Sequence, residues 1–234
     1  MQLHRIHLNP RNREVRRDLA DPYQMHASLC RAFCSPEEKC PPGAVLWRLE
    51  PESAPEGRPR VLIQSRLEPD WSPMQEAGWL SHADTGIDLT QKLAFDHFQA
   101  GQRFRFRLRA NPCKTVQGKR RGLLNRDAQM EWLRRKGERH GFVLVEPNSK
   151  DYFDFLSQPS GYAYSDCRVT HEQMLRGRQH GGNAIHVYTV LFEGQLSVAD
   201  PALFRQALEQ GIGHGKMMGL GLLSVAPCSA PTRG

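Results

Sequence analysis

The chain has 234 residues, 39% of them hydrophobic and 24% charged, with a formal net charge of +7 from 32 basic and 25 acidic side chains. This is the composition of a folded protein, not a disordered one, and the length is well above that at which a core needs disulfides or metals. No apolar run of about 18 residues exists, so no transmembrane helix and no membrane partner are expected; with no apolar stretch in MQLHRIHLNP and only six cysteines, a cytoplasmic protein with reduced thiols is expected.

Leu3–Leu8 alternates and reads as a strand. Asp21-Pro22-Tyr23-Gln24 opens a helix, with Asp21 as N-cap and Pro22 in the first helical position, running to about Phe33 or Cys34. Val45–Leu49 and Arg60–Gln64 read as strands joined by PESAPEG. Residues 68–90 read as irregular, and Leu93–Phe98 as a short strand. Phe104–Leu108 alternates strictly with Arg103, Arg105, Arg107 and Arg109, the pattern of a half-buried strand in an antiparallel sheet. Residues 111–126 read as a basic loop, Ala128–Arg139 as a helix and Phe142–Val145 as a strand. Two long strands, Arg168–Leu175 and Ile185 to about Val198, flank a glycine-rich tip at 177–182. Asp200-Pro201 opens a helix to about Gln210, and a glycine loop leads to a strand at Leu222–Val225.

The element order is β-α-β-β-(irregular)-β followed by β-α-β-β-α-β. It predicts an α+β protein of two tandem ferredoxin-like domains with antiparallel sheets, residues 1–100 and 101–234, the second helix of the first domain being eroded.

The positive charge is concentrated. Residues 101–140 hold ten Arg and three Lys against three acids, a net of +10, whereas residues 35–100 net −5 from 11 acids and six bases. Arginine outnumbers lysine 25 to 7 over the chain. A planar guanidinium binds phosphate bidentately and stacks on bases, so one strongly basic side points to a polyanion, with a solvated basic surface as the alternative.

Three constellations bear on chemistry. In GIGHGKMMGLGLLS, Gly211, Gly213, Gly215, Gly219 and Gly221 accompany Lys216. Such a loop frees backbone N–H groups for a phosphate, the favoured reading, or serves as an elaborate helix C-cap and turn; it is neither a P-loop nor a dinucleotide motif. Tyr23 and His26 share one helix face, where His26 has the chemistry of a general acid or base and Tyr23 that of a hydrogen-bond donor, a structural histidine being the alternative. His26, Cys30 and Cys34, with Cys40 nearby, are zinc-type donors, but their spacing over two helical turns strains a common ion, so the cysteines are read as small packing residues and no metal is expected. Nor does an acidic pair with His suggest a magnesium nuclease site.

The segments FRFRLRANPCKT (104–115), QMEWLRRKGERHGF (129–142), LFEGQLSVADPALFRQALEQGIGHGKMMGLGLLSVAP (191–227) and DPYQMH (21–26) together resemble the CasE endoribonuclease family of the type I-E CRISPR Cascade system. The resemblance implies two ferredoxin-like domains and a protein that cleaves CRISPR precursor RNA at the base of each repeat hairpin. It implies attack by the ribose 2′-hydroxyl, leaving a 2′,3′-cyclic phosphate and a 5′-hydroxyl with no metal or other cofactor, and retention of the crRNA among the other Cascade subunits. It assigns catalysis to His26 and Tyr23 and a basic contact to Lys216. Lys114, Lys119, Arg120, Arg121 and the Arg103–Arg109 stripe then become candidates for the hairpin backbone, as do Arg168, Arg176 and Arg178 near the tip of the long strands. The segment Cys34–Gly43 and the tail Cys228–Gly234 match nothing in the family. The alternatives are a non-cleaving RNA-hairpin-binding protein of the same fold and a zinc-dependent regulator.

Overall fold

The structure, a computed structural model, describes residues 1–35, 37–38, 40–51, 57–145, 167–178, 182 and 184–228. Most of the PESAPEG connection, most of the tip between the long strands and the tail after Cys228 lie outside the described residues.

The first sheet is antiparallel. β1 (Gln2–Leu8) lies between β3 (Arg60–Ser65) and β4 (Leu80–Ala83), β2 (Val45–Leu49) edges β3, and the short β5 (Ile87–Asp88) also pairs with β1. The order β2-β3-β1-β4 is that of a ferredoxin-like sheet. Alternation turns Ile6, Leu8, Val45, Trp47, Val61 and Ile63 to one face. There they form a core with Val15 of α1 (Arg13–Ala20) and with Met25 and Leu29 of α2 (Pro22–Cys30).

The second sheet repeats the pattern. β6 (Arg103–Ala110) is flanked by β11 (Ala184–Val198) and β12 (Leu223–Pro227), and β10 (Arg168–Arg178) pairs with the first half of β11. β9 (Phe142–Leu144) pairs with the other end of β11. Strand β11 is far longer than β6, so its hairpin with β10 projects beyond the sheet. Phe104, Phe106, Leu108, Phe192 and Leu196 face α5 (Arg126–Arg139) and α6 (Pro201–Gln210), whose Leu133 and Phe204 complete the core. Both sheets and their helices thus form the two ferredoxin-like units expected.

Four expectations need correction. Leu93–Phe98 is not a strand. Asp88 caps α4 (Leu89–Lys92) by accepting from Thr90 N and Gln91 N, and Ala94, at φ +49°, turns the chain into a 3-10 turn at Phe95–His97. The apolar spacing there serves Phe95 and Phe98, three apart, which both enter the second core. Residues 68–90 hold α3 (Ser72–Glu76), β4 and β5. Residues 111–126 are not a loop but a hairpin of β7 (Cys113–Val116) and β8 (Lys119–Gly122). Its two-residue turn has Gln117 at φ +49° and Gly118 at +74°, the doubly positive geometry that matches strand twist. Finally, the helix begun at Asp21 ends at Cys30, and irregular turns follow.

The two units meet across the second face of the first sheet. Gln64 Nε2 donates to Leu208 O of α6 at 2.6 Å. Arg48, 2% exposed, pairs with Glu50 at 2.7 Å and donates to the carbonyls of Arg107 (3.1 Å) and Leu222 (3.2 Å) in the second unit. Glu50 in turn pairs with Arg107 at 2.5 Å, and Arg107 with Glu193 at 2.5 Å. Removing one member of a buried pair strands its partner, at a cost of about 3–5 kcal/mol. Arg48→Ala is therefore expected to lower stability in urea by about that amount and to split the transition in two as the units uncouple; a single transition at the wild-type midpoint would contradict this.

Candidate nucleic-acid interface

The site is built around the start of α2. Asp21 Oδ1 accepts from Tyr23 N at 3.0 Å, the N-cap expected of Asp-Pro, and so fixes the first turn that carries Tyr23 and His26. The second oxygen of the same carboxylate accepts from Arg178 N at 3.3 Å. The helix start therefore also grips the end of β10. Gly177 is buried directly on Tyr23: a Cβ at that position would come 2.6 Å from the ring. Its neighbours Arg176 and Arg178 are exposed on the opposite side of the strand.

The glycine loop packs on the same helix through a 3-10 turn at Lys216–Met218. Gly211, Gly213, Gly215, Gly219 and Gly221 all have positive φ. The expectation that they free N–H groups for a phosphate needs correction, because most of these amides are committed inside the fold. Gly211 and Gly221 are buried and close the neck of the loop. Gly211 N donates to Ala207 O at 2.9 Å, which ends α6, and Gly221 N donates to Arg109 O at 2.8 Å. Between them Ile212 N donates to Gly221 O at 2.8 Å, a closure that leaves no room for a Cβ at either glycine. Gly215 opens the 3-10 turn in a left-handed conformation, its carbonyl accepting from Met218 N at 2.8 Å. Gly219 closes that turn by donating to Lys216 O at 3.1 Å, and a Cβ there would lie 2.8 Å from the Trp47 ring of β2. Gly213 lies against the Trp132 ring of α5. The cap-and-turn alternative thus has a sufficient steric cause. Gly211, Gly215, Gly219 and Gly221 shape the loop, and Lys216, half-buried, is left standing at the helix.

His26 is half-buried. Its Nε2 lies 3.7 Å from Cys30 Sγ, while Nδ1 is buried with no partner. Burial holds the imidazole below its ordinary pKa, so the ring is neutral near pH 7. Tyr23 is shifted the other way, its phenol held protonated by burial first and by the Asp21 charge second. Cys30 and Cys40 pack against the first core, and burial pushes the Cys34 and Cys40 thiols up to about 11. Cys34 lies beyond the end of α2, not on a third turn of it. Among the described residues, no group of three or more His, Cys, Asp or Glu side chains is arranged to hold a metal ion.

The arginine stripe on β6 divides in two. Arg103 and Arg105 are exposed. Arg107 is committed to Glu50 and Glu193, and Arg109 is 8% exposed, its guanidinium pKa lowered by burial, so both belong to the junction between the units. Alternation could assign the four to one face but not reveal that the far half of that face is covered. Lys114, Lys119, Arg120 and Arg121 are exposed on the β7–β8 hairpin, which rests on β11 where Gly122 meets Tyr188. Arg168 is exposed at the far end of β10 and is not part of the cluster at α2. The structure thus packs the glycine turn that carries Lys216 and the end of β10 on α2, which carries Tyr23 and His26, while the side chains of Arg176 and Arg178 lie on the far side of β10.

The chain thus combines tandem ferredoxin-like units with a half-buried histidine beside a glycine turn and an exposed basic hairpin. A family model described as CRISPR associated protein matches residues 1–227. The CRISPR-associated endoribonuclease Cse3 of Thermus thermophilus is 38% identical over 229 residues, covering 97% of this chain and all of its own. The CRISPR system Cascade subunit CasE of Escherichia coli K12 is 29% identical over 221 residues, covering 88% and 92%. Among solved structures, Cse3 bound to a 19-nucleotide RNA superposes with a TM-score of 0.77 at 37% identity, over 97% of this chain and all of that one. Thermus thermophilus Cse3 bound to an RNA representing a pre-cleavage complex gives 0.76 at 36% identity, over 97% and 98%. The chain belongs to the CRISPR-associated family, among its CasE-type type I-E endoribonucleases.

The contact between Gly177 and Tyr23 leads to a direct test. Gly177→Ala forces Tyr23 or the hairpin aside, and if Tyr23 helps position substrate, a displacement of about 1 Å would cost as much as about 10²-fold in rate. Single-turnover cleavage by G177A is expected to drop at least tenfold, approaching that limit, with some loss of melting temperature but a folded protein at the assay temperature; wild-type rates would show that the contact does not position Tyr23.

Proposed function

We propose that this chain binds the hairpin of a CRISPR repeat transcript, cleaves it at His26 and remains with the crRNA as a Cascade subunit in the cytoplasm. The observation that carries the proposal is the convergence of the basic hairpin end and the glycine turn on the one helix that bears His26 and Tyr23. The relatives supply the substrate class: Cse3 is an endoribonuclease with RNA-bound structures, and CasE is a Cascade subunit. No described helix is long and apolar enough to cross a membrane. The reading divides the chain near residue 100, with the catalytic helix in the first unit and the basic surface in the second.

The nucleophile is already on the substrate. A ribose 2′-hydroxyl attacks the adjacent phosphate, the bond to the 5′-oxygen of the next nucleotide breaks, and a 2′,3′-cyclic phosphate and a 5′-hydroxyl result. Holding the ribose and phosphate in line therefore does much of the work. His26, neutral at working pH, accepts the 2′-hydroxyl proton once the ring turns away from Cys30; the departing 5′-oxygen takes a proton from water, and the imidazolium returns its proton to the hydroxide so formed. Tyr23, kept protonated, donates a hydrogen bond to a non-bridging phosphate oxygen, and Lys216 offsets the charge that builds there. Exposed Arg103, Arg105, Lys114, Lys119, Arg120, Arg121, Arg176 and Arg178 hold the hairpin through its phosphates.

His26→Ala is expected to slow single-turnover cleavage by about 10²-fold or more, the usual contribution of a general acid or base. Hairpin affinity should change by less than about tenfold, because affinity is spread over many cationic contacts. A parallel loss of binding, cleavage and melting temperature would make the histidine structural instead.

Cleavage is expected to persist in excess EDTA and to stop when the ribose 5′ of the scissile phosphate is 2′-deoxy, with binding retained. Loss of activity on chelation, restored by Mg²⁺ or Zn²⁺, would overturn the metal-independent scheme.

A further inference from the structure

Away from α2, the other side of the glycine loop meets two further elements. His214 and Lys216 come from the loop, Lys136, Arg139 and His140 from the end of α5, and Arg120 from β8. Trp132 forms the floor: Lys136 Nζ stands 5.5 Å from the centre of its ring, and Gly213 lies against the same indole, with a Cβ there only 3.6 Å away. His214 and Arg120 are exposed, and His140, Lys136 and Lys216 are half-buried. Arg48 and Arg107 at the junction each have a carboxylate partner, but among the described residues Arg120, Lys136, Arg139 and Lys216 make no ion pair. Like charges gathered from three elements with no counter-charge attract an anion. Lys216 is shared with the face on α2, so the cluster continues the basic surface away from His26.

We propose that this cluster is a phosphate subsite for the bound RNA and that His140 and His214 take up protons as it fills. The proposal rests on the reading of the chain as an RNA-binding endoribonuclease. In the free protein both imidazoles are held below their ordinary pKa. For His140 the causes are burial and then Lys136, Lys216 and Arg139; for His214 they are burial and then Arg120, Lys136 and Lys216. Lys136 is itself lowered by burial and Arg139, with Cys113 the opposing neighbour. Among the described residues, the charged neighbours that shift these two rings are all cationic. A phosphate among these cations cancels their repulsion and accepts hydrogen bonds from imidazolium N–H groups. The complex then binds more protons than its separated parts. Affinity therefore rises as pH falls through the window between the free and bound pKa values, by at most about tenfold per pH unit for each coupled proton.

The test is the dissociation constant of a repeat hairpin, from the CRISPR array of the same genome, made non-cleavable by a 2′-deoxy at the scissile position. It is measured from pH 8 to 5.5 at fixed ionic strength for wild type, H140Q/H214Q and K136A. Wild-type affinity should rise as pH falls. H140Q/H214Q should match wild type at pH 8 and show a flatter slope, the contribution of His26 being common to both. K136A should bind about fivefold or more weakly at every pH, and its slope of log K against log[salt] should fall by about 1 or slightly less. Saturating single-turnover cleavage of the all-ribose hairpin should stay within about threefold of wild type in both variants, since neither alters α2. A double-variant pH slope equal to wild type, or an unchanged affinity and salt slope in K136A, would overturn the proposal. Failure of the underlying reading shows separately, as a wild-type protein that does not cleave the all-ribose hairpin.

Discussion

Arg48 is a charge taken out of water to join two sheets. Burying a guanidinium is tolerated only when its donors and its charge are both answered. Here Glu50 answers the charge, and two carbonyls of the second unit, at Arg107 and Leu222, answer the donors. Those carbonyls lie on β6 and immediately before β12, so the guanidinium sets how the first sheet sits on the second. Arg48 is also the neighbour of Trp47, whose ring limits Gly219 in the glycine loop. The placement of Lys216 beside α2 is thus linked through one residue step to the junction between the units.

That geometry explains why the site can exist between elements with little stabilising power of their own. α2 is nine residues long and has a weak apolar face. A helix this short is marginal in isolation and persists because of what packs on it. Its inner side rests on the first core through Met25 and Leu29. Its outer side is held by β10 and by the glycine turn, both from the second unit. Under the proposed function, the elements that hold α2 would also be those that meet the RNA, so recognition and catalysis would share one set of contacts.

Much of this was legible in the residues because the signals were local. Asp21-Pro22 announces a helix start, the alternation of Phe104, Phe106 and Leu108 announces a strand, and the order of elements announces two ferredoxin-like units. DPYQMH and GIGHGKMMGLGLLS were specific enough to raise Tyr23, His26 and Lys216 to candidates. What stayed hidden depended on contacts distant in sequence. A run of glycines looks the same whether its amides are open to a ligand or closed on the fold; that Gly221 donates to Arg109, on another strand, cannot be read from the loop. Nothing in RFRFRLR separates exposed Arg103 and Arg105 from Arg107 and Arg109, because Glu50 lies more than fifty residues earlier. The β7–β8 hairpin was masked by its lysines and arginines, although Gln117-Gly118 was a usable turn signal. Phe95 and Phe98 alternate poorly as a strand because they are spaced for one side of a turn. Lys136 and His140 carry no signal of their own, because the glycine loop that packs beside them is distant in sequence.

The two oxygens of Asp21 serve different parts of the molecule, one capping the helix and the other receiving the amide of Arg178. This constrains how the β10–β11 hairpin can be exchanged between relatives, whether by evolution or by design. On the side that shows Arg176 and Arg178, packing on α2 sets no limit on a transplanted hairpin. On the other side it must bring a residue without a side chain at 177 and a backbone N–H at 178, which excludes proline there. Variation among hairpins built on this scaffold is therefore expected to gather on one side of a single ribbon, with the other side fixed by its packing on α2.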